Sequence, residues 1–203
     1  MIIKNVKVFT EDKTFEPGAI GIENGIFKNN LFDSGEIIDG EGCYAIPGLI
    51  DVHFHGCMGY DFCDGTKEAI EKIAEYEASQ GVTTIVPATM TLSEEELMKI
   101  MANGGTYENK EGAAVLAGIN MEGPFLDPVK KGAHVEEWIT EPDADFVKEL
   151  NEVSGGRIRL VTLAPNVKGA MDFIREMKEE VQISLGHTAA DYECAAEAMA
   201  LGA

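Results

Sequence analysis

Positive charge is scarce in this sequence: 16 lysines and arginines stand against 36 aspartates and glutamates, a formal charge of -20 over 203 residues. A field of that sign repels nucleic acid and anionic membrane surfaces, so neither is expected as a partner. It does not exclude a small anionic substrate, because a metal ion or a few local donors outweigh a distant field. Long apolar runs are also absent. The start, Met1-Ile2-Ile3-Lys4-Asn5-Val6, has neither the apolar core nor the cleavage site of a signal peptide, and no later run reaches membrane-spanning length. A cytoplasmic protein is the expectation. The four cysteines (Cys43, Cys57, Cys63 and Cys194) form no C-x-x-C pair and are too sparse for a disulfide scaffold. Cys57 and Cys63 are expected to be buried or loop thiols. No G-x-G-x-x-G turn follows the first strand of the α/β region, which argues against a dinucleotide-binding open sheet.

What is present falls into two textures. Residues 1–48 read as short strands: an apolar stretch over 2–9, a second over 19–27 with Asn24-Gly25 between its two halves, and an extended segment over 36–46. Asn-Gly between apolar pieces is a hairpin signal. This region is expected to be the N-terminal part of a small β-sandwich domain, too short to cover its own apolar faces.

From residue 49 onward strands and helices alternate, and 49–203 is expected to be a second domain. Strands are expected over 49–53, 82–87, 113–121, 158–163 and 181–187. Helices are expected over 66–80, from Ser93 with Glu96 as a capping box, and over about 143–150, 169–179 and 191–201. Five βα units in succession predict a parallel sheet with helical crossovers. Because the candidate ligands fall at the carboxyl ends of several strands, the expected fold class is α/β, of the TIM-like (β/α)8 barrel type. A whole barrel takes eight units and about 250 residues, so the chain is expected to be a truncated barrel, part of a longer protein.

The stretch Ala45-Ile46-Pro47-Gly48-Leu49-Ile50-Asp51-Val52-His53-Phe54-His55-Gly56 carries the first of those ligands. Side chains two apart on a strand share a face, so His53 and His55 are expected to project together from its end, with Asp51 below them. Asp51 either orients a ligand there or fills a buried structural role. Glu122 closes the third strand and His187 the fifth. Each alone could be an ordinary capping or loop residue. Together His53, His55, Glu122 and His187 supply four nitrogen and oxygen donors of the kind zinc accepts, and a bridging carboxylate lets two ions share one site.

Five segments carry a family resemblance: Pro47 to Cys57, Gly81-Val82-Thr83-Thr84 with Pro87-Ala88-Thr89, Met121-Glu122-Gly123-Pro124-Phe125-Leu126, Lys131-Gly132-Ala133-His134, and Leu185-Gly186-His187-Thr188. The first resembles the amidohydrolase superfamily in general. E-G-P-F followed by K-G-A-H narrows the resemblance to the N-acetylglucosamine-6-phosphate deacetylases within it, over essentially the whole chain. The resemblance implies that Glu122 and His187 are metal ligands common to every branch, and that His53 and His55 are the pair found in members able to hold a second ion. The cofactor implied is a divalent metal, zinc first, with iron, manganese or cobalt as alternatives, in one or two copies. It further implies that Ala133 and His134 contact the sugar; a surface histidine after a lysine pair is the alternative for His134. The substrate implied is an amino sugar phosphate, and the full-length protein is expected to be a homodimer. The family's general base, an aspartate after the eighth strand, has no counterpart here, so no catalytic proton-transfer residue is assigned within the chain and the 203-residue chain alone is expected to be inactive. Rival readings are another amidohydrolase, dihydroorotase-like or isoaspartyl-dipeptidase-like, and a non-catalytic metal-binding fragment.

Overall fold

Two units emerge from the packing of the chain, Met1–Gly48 and Leu49–Ala203, in a computed structural model that describes residues 1–28 and 35–203. In the first unit β1 (Ile2–Phe9) is central. It pairs antiparallel with β2 (Phe15–Glu23), which in turn pairs antiparallel with β3 (Ile26–Lys28). On its other side β1 pairs in parallel with β4 (Ile37–Asp39) and β5 (Tyr44–Ala45). The β2–β3 turn is Asn24-Gly25, with φ of 53° and 75°, the left-handed pair that a two-residue hairpin demands. Among the described residues of this unit, the buried hydrophobic side chains are those of Ile2 and Val6. Ile26, Phe27, Ile37, Tyr44 and Ile46 are exposed, as expected of a sheet too small to cover itself.

The second unit repeats strand and helix: β6 (Leu49–Asp51), a short hairpin of β7 (Gly56–Cys57) and β8 (Tyr60–Asp61), α1 (Lys67–Ser79), β9 (Val82–Ile85), α2 (Glu94–Thr106), β10 (Val115–Leu116) and β11 (Ile119–Glu122). It continues with α3 (Ala144–Val153), β12 (Ile158–Leu163), α4 (Ala170–Met177), β13 (Gln182–Leu185) and α5 (Tyr192–Leu201). β9 pairs in parallel with β6 and β10, and β12 with β11 and β13. The two halves join where Asn120 N–H donates to Pro87 O and Thr89 N–H donates to Asn120 O, each at 2.9 Å. Spatial order therefore follows chain order without the reversal that defines a doubly wound sheet, and this is the start of a (β/α) barrel.

Local chemistry explains the helix boundaries. Thr66, Ser93, Asp143 and Asp191 each cap a helix, accepting a hydrogen bond from the third backbone N–H of the first turn. Each such cap is worth about 1 kcal/mol. Ser93 and Glu96 form the expected reciprocal capping box. On α1 the spacing of Ala69, Ile70, Ile73 and Ala74 turns one apolar face inward, and Ile70, Ile73 and Ala74 share the buried apolar cluster with Ile85, Leu97, Ile119 and Val161.

Four strands differ from expectation, one of them only in stopping at Ile85. The strand expected over 113–121 is two pieces, β10 and β11. Between them Gly118 lies against Arg159, whose side chain fills the space a Cβ would occupy. The first strand stops at Asp51 and the last at Leu185, so neither His53 nor His187 is a strand residue. Among the described residues no helix is long and apolar enough to cross a membrane.

Candidate metal centre

The parallel strands deliver their carboxyl ends to one rim, and three of those ends bring donors together. β11 ends in Glu122, 3% exposed. Its Oε2 lies 3.2 Å from His53 Nε2 and 3.1 Å from His55 Nε2; its Oε1 lies 2.8 Å from His187 Nε2 and 3.6 Å from His134 Nε2. All four histidines of the sequence thus face one carboxylate.

His53 and His55 reach this point by a turn, which corrects the strand-face geometry expected for them. Asp51 Oδ1 accepts a hydrogen bond from the His53 backbone N–H at 3.0 Å, an Asx turn that ends β6. Asp51 therefore shapes the backbone that carries the two imidazole rings. The two rings stand nearly perpendicular, with centroids 5.8 Å apart.

His187 follows Gly186 with φ of 48°, a left-handed conformation unusual for a residue with a Cβ. Its aim is accordingly not that of Ile183 and Leu185 on the strand. Its Nδ1–H donates to the Lys130 carbonyl at 2.9 Å; a carbonyl only accepts, so the neutral ring keeps a lone pair on Nε2. Asp127 N–H donates to His187 O at 3.0 Å, and Asn166 links Asp127 to Thr188 by its two amide atoms. The loop after β11 and the end of β13 are fastened together by these bonds.

His134 is 2% exposed, which overturns the surface-histidine alternative. Thr91 N–H donates to its Nδ1 at 3.0 Å, so in the neutral ring the proton sits on Nε2, the atom turned to the cluster. Its ring lies edge-on to His187 at 4.6 Å. Ala133, beside it, is exposed.

The donor chemistry fits a divalent ion. Glu122 Oε2 and His55 Nδ1 are buried without a hydrogen-bond partner, although two imidazole nitrogens stand near that oxygen. Ligands about 2.1 Å from a shared tetrahedral ion stand about 3.4 Å from each other, close to the spacing of these atoms. Two sets, His53-His55-Glu122 and Glu122-His134-His187, keep their donor atoms within 4.8 Å, so the cluster has the capacity for one or two divalent ions. Burial alone would raise the Glu122 carboxyl, but His134, His55, His53 and His187 together hold it well below the usual carboxylate range. The Glu122 carboxylate 3.1 Å away raises the His55 imidazole in turn, against the opposing effect of burial.

Sequence reasoning missed Asn120, Thr91 and Thr162, whose side chains or backbone support the cluster. A polar residue between Ile119 and Met121 in an otherwise apolar strand was the available signal for Asn120.

The model of the amidohydrolase family matches residues 44–202. The chain is 30% identical over 214 aligned positions to the N-acetylglucosamine-6-phosphate deacetylase of Bacillus subtilis, covering 100% of this chain and 54% of that protein. It is 28% identical to the N-acetylgalactosamine-6-phosphate deacetylase of Escherichia coli O157:H7, with 100% and 54% covered. The crystal structure of the Mycobacterium smegmatis N-acetyl-D-glucosamine-6-phosphate deacetylase superposes with a TM-score of 0.86 at 25% identity, again covering 100% of this chain and 54% of the other. The chain spans about half the length of the curated relatives it matches.

Proposed function

The chain belongs to the amidohydrolase family, and on that premise we propose that the full-length protein hydrolyses the acetamide of N-acetylglucosamine 6-phosphate, giving glucosamine 6-phosphate and acetate. The observation that carries this reading is a single buried carboxylate, Glu122, faced by imidazoles on each oxygen, in a chain that matches N-acetyl amino sugar phosphate deacetylases from end to end.

Glu122 and His187 are assigned to hold one divalent ion and His53 with His55 to hold a second against the other carboxylate oxygen; zinc is the ion proposed. When bound, such an ion supplies Lewis acidity toward water and a carbonyl oxygen. His134 has a different task. Because its Nδ1 is occupied by Thr91 N–H, its Nε2–H is a donor, suited to the acetyl oxygen of the substrate and unsuited to ligation. Ala133 is assigned to the sugar beside it. Glu122, engaged by imidazoles on both oxygens, is not free to act as the general base, and proton transfer is assigned to an aspartate elsewhere in the full-length protein. A cytoplasmic homodimer acting on this one small phosphorylated sugar completes the proposal.

Acetate release from N-acetylglucosamine 6-phosphate by zinc-loaded full-length protein tests the reading, with the C4 epimer N-acetylgalactosamine 6-phosphate in parallel. Turnover of the first is expected to exceed that of the second. Hydrolysis of a cyclic ureide or an isoaspartyl dipeptide with no acetate from either sugar would overturn it.

A further inference from the structure

β11 is buried along its whole length, yet its second residue is Asn120, 1% exposed. The sheet does not need this amide, because the Asn120 backbone already pairs with Pro87 and Thr89. Its side chain has three neighbours. Nδ2 donates to Val52 O at 3.2 Å and lies 3.2 Å from His53 Nδ1, while Oδ1 accepts from Thr162 Oγ1 at 3.3 Å. Val52 O can only accept, so it holds the amide with nitrogen toward Val52 and His53. The second hydrogen on that nitrogen is then offered to His53 Nδ1, which must accept it. The ring's own proton falls on Nε2, the atom that faces Glu122 Oε2.

His187 has the opposite arrangement: a backbone carbonyl takes its Nδ1–H, so the lone pair of the neutral ring lies on Nε2, the atom 2.8 Å from Glu122 Oε1. We infer that Asn120 is a positioning residue that sets the His53 tautomer and so makes the His53-His55 side the second, weaker cation site of the cluster. Filling that side requires the His53 proton to move to Nδ1 and the Asn120 amide to turn its oxygen toward it. Turning places Oδ1 against Val52 O, two acceptors in contact, and this is what weakens the site. The inference rests on the ion-binding reading of the cluster, but its first test does not need an ion.

The four histidines can be read separately by long-range 1H–15N correlation in metal-free protein, which distinguishes Nδ1–H from Nε2–H tautomers. His53 and His134 are expected to leave Nδ1 unprotonated and His187 to carry a proton there; His53 found as Nδ1–H in the wild-type protein overturns the proposal. Asn120→Asp offers His53 Nδ1–H an acceptor in either rotamer. It is expected to switch His53 to Nδ1–H and to tighten the weaker of two zinc dissociation constants about tenfold or more in calorimetric titration. A switched tautomer with an unchanged weaker constant overturns the link to the second site. Absence of zinc binding in both proteins would sink the ion reading instead, while the wild-type tautomer signal still decides the role of Asn120.

Discussion

The two sides of Glu122 hold the same kind of ligand by different means. On the Oε1 side, His187 is fixed by a backbone carbonyl, by its own left-handed φ and by the Asp127-Asn166-Thr188 bonds that tie two loops together. On the Oε2 side, His53 leans on a side-chain amide and His55 has a buried Nδ1 that makes no hydrogen bond among the described residues. A main-chain carbonyl presents one polarity only, whereas an amide presents either. Ligand identity alone therefore does not make two halves of a site equal: the partner of the other ring nitrogen decides which half is ready.

The largest expected effect comes from removing what the two sides share. Glu122→Gln should lower zinc content at both sides, weakening binding by about a hundredfold or more, read by elemental analysis after dialysis. One ion kept at wild-type affinity would show that a side stands without the carboxylate. Next in size is the contrast between the sides. His187→Ala should abolish the tighter zinc step, while His53→Ala should remove only the weaker step, as read by calorimetric titration. Equal losses from both variants would erase the distinction.

The smallest effect concerns the support of His134. Cys63 Sγ accepts a hydrogen bond from Met90 N–H at 3.2 Å, next to the Thr91 N–H that fixes the His134 tautomer. Burial pushes the Cys63 thiol up to about 12, so at pH 8 only about one thiol in ten thousand is ionised. Iodoacetamide is expected to label exposed Cys43 and to spare Cys63 until pH approaches that value or the protein unfolds, as read by peptide mapping. Early labelling of Cys63 would mean that the segment behind His134 opens readily.

Much of the fold was legible because alternating periodicities and caps are local signals. Ser93 with Glu96, the Asn24-Gly25 turn and the strand Ile158–Leu163 all lie where short-range chemistry puts them. The approach of Glu122 to His53, His55 and His187 was legible from one topological fact, that parallel strands end at a common rim. The orientation of each ring was not. Asp51 bends the chain before His53, the φ of His187 turns it off the strand, and Thr91 decides the polarity of His134 across 43 residues of sequence. Such partners are set by tertiary placement, and no spacing rule within a segment reports them. The interruption between β10 and β11 was hidden for the same reason, since Gly118 matters only once Arg159 lies beside it.

The agreement of spatial order with chain order in the second unit has a consequence for biosynthesis. β9 pairs with β6, β10 with β9, β12 with β11 and β13 with β12, and β11 joins the earlier strands where Asn120 pairs with Pro87 and Thr89, so each βα unit leaving the ribosome finds a hydrogen-bonding partner already formed. Assembly can advance in the direction of translation, each new strand adding to the edge formed last. The cluster inherits that schedule: the turn holding His53 and His55 is in place first, Glu122 arrives opposite it, and His187 closes the circle last.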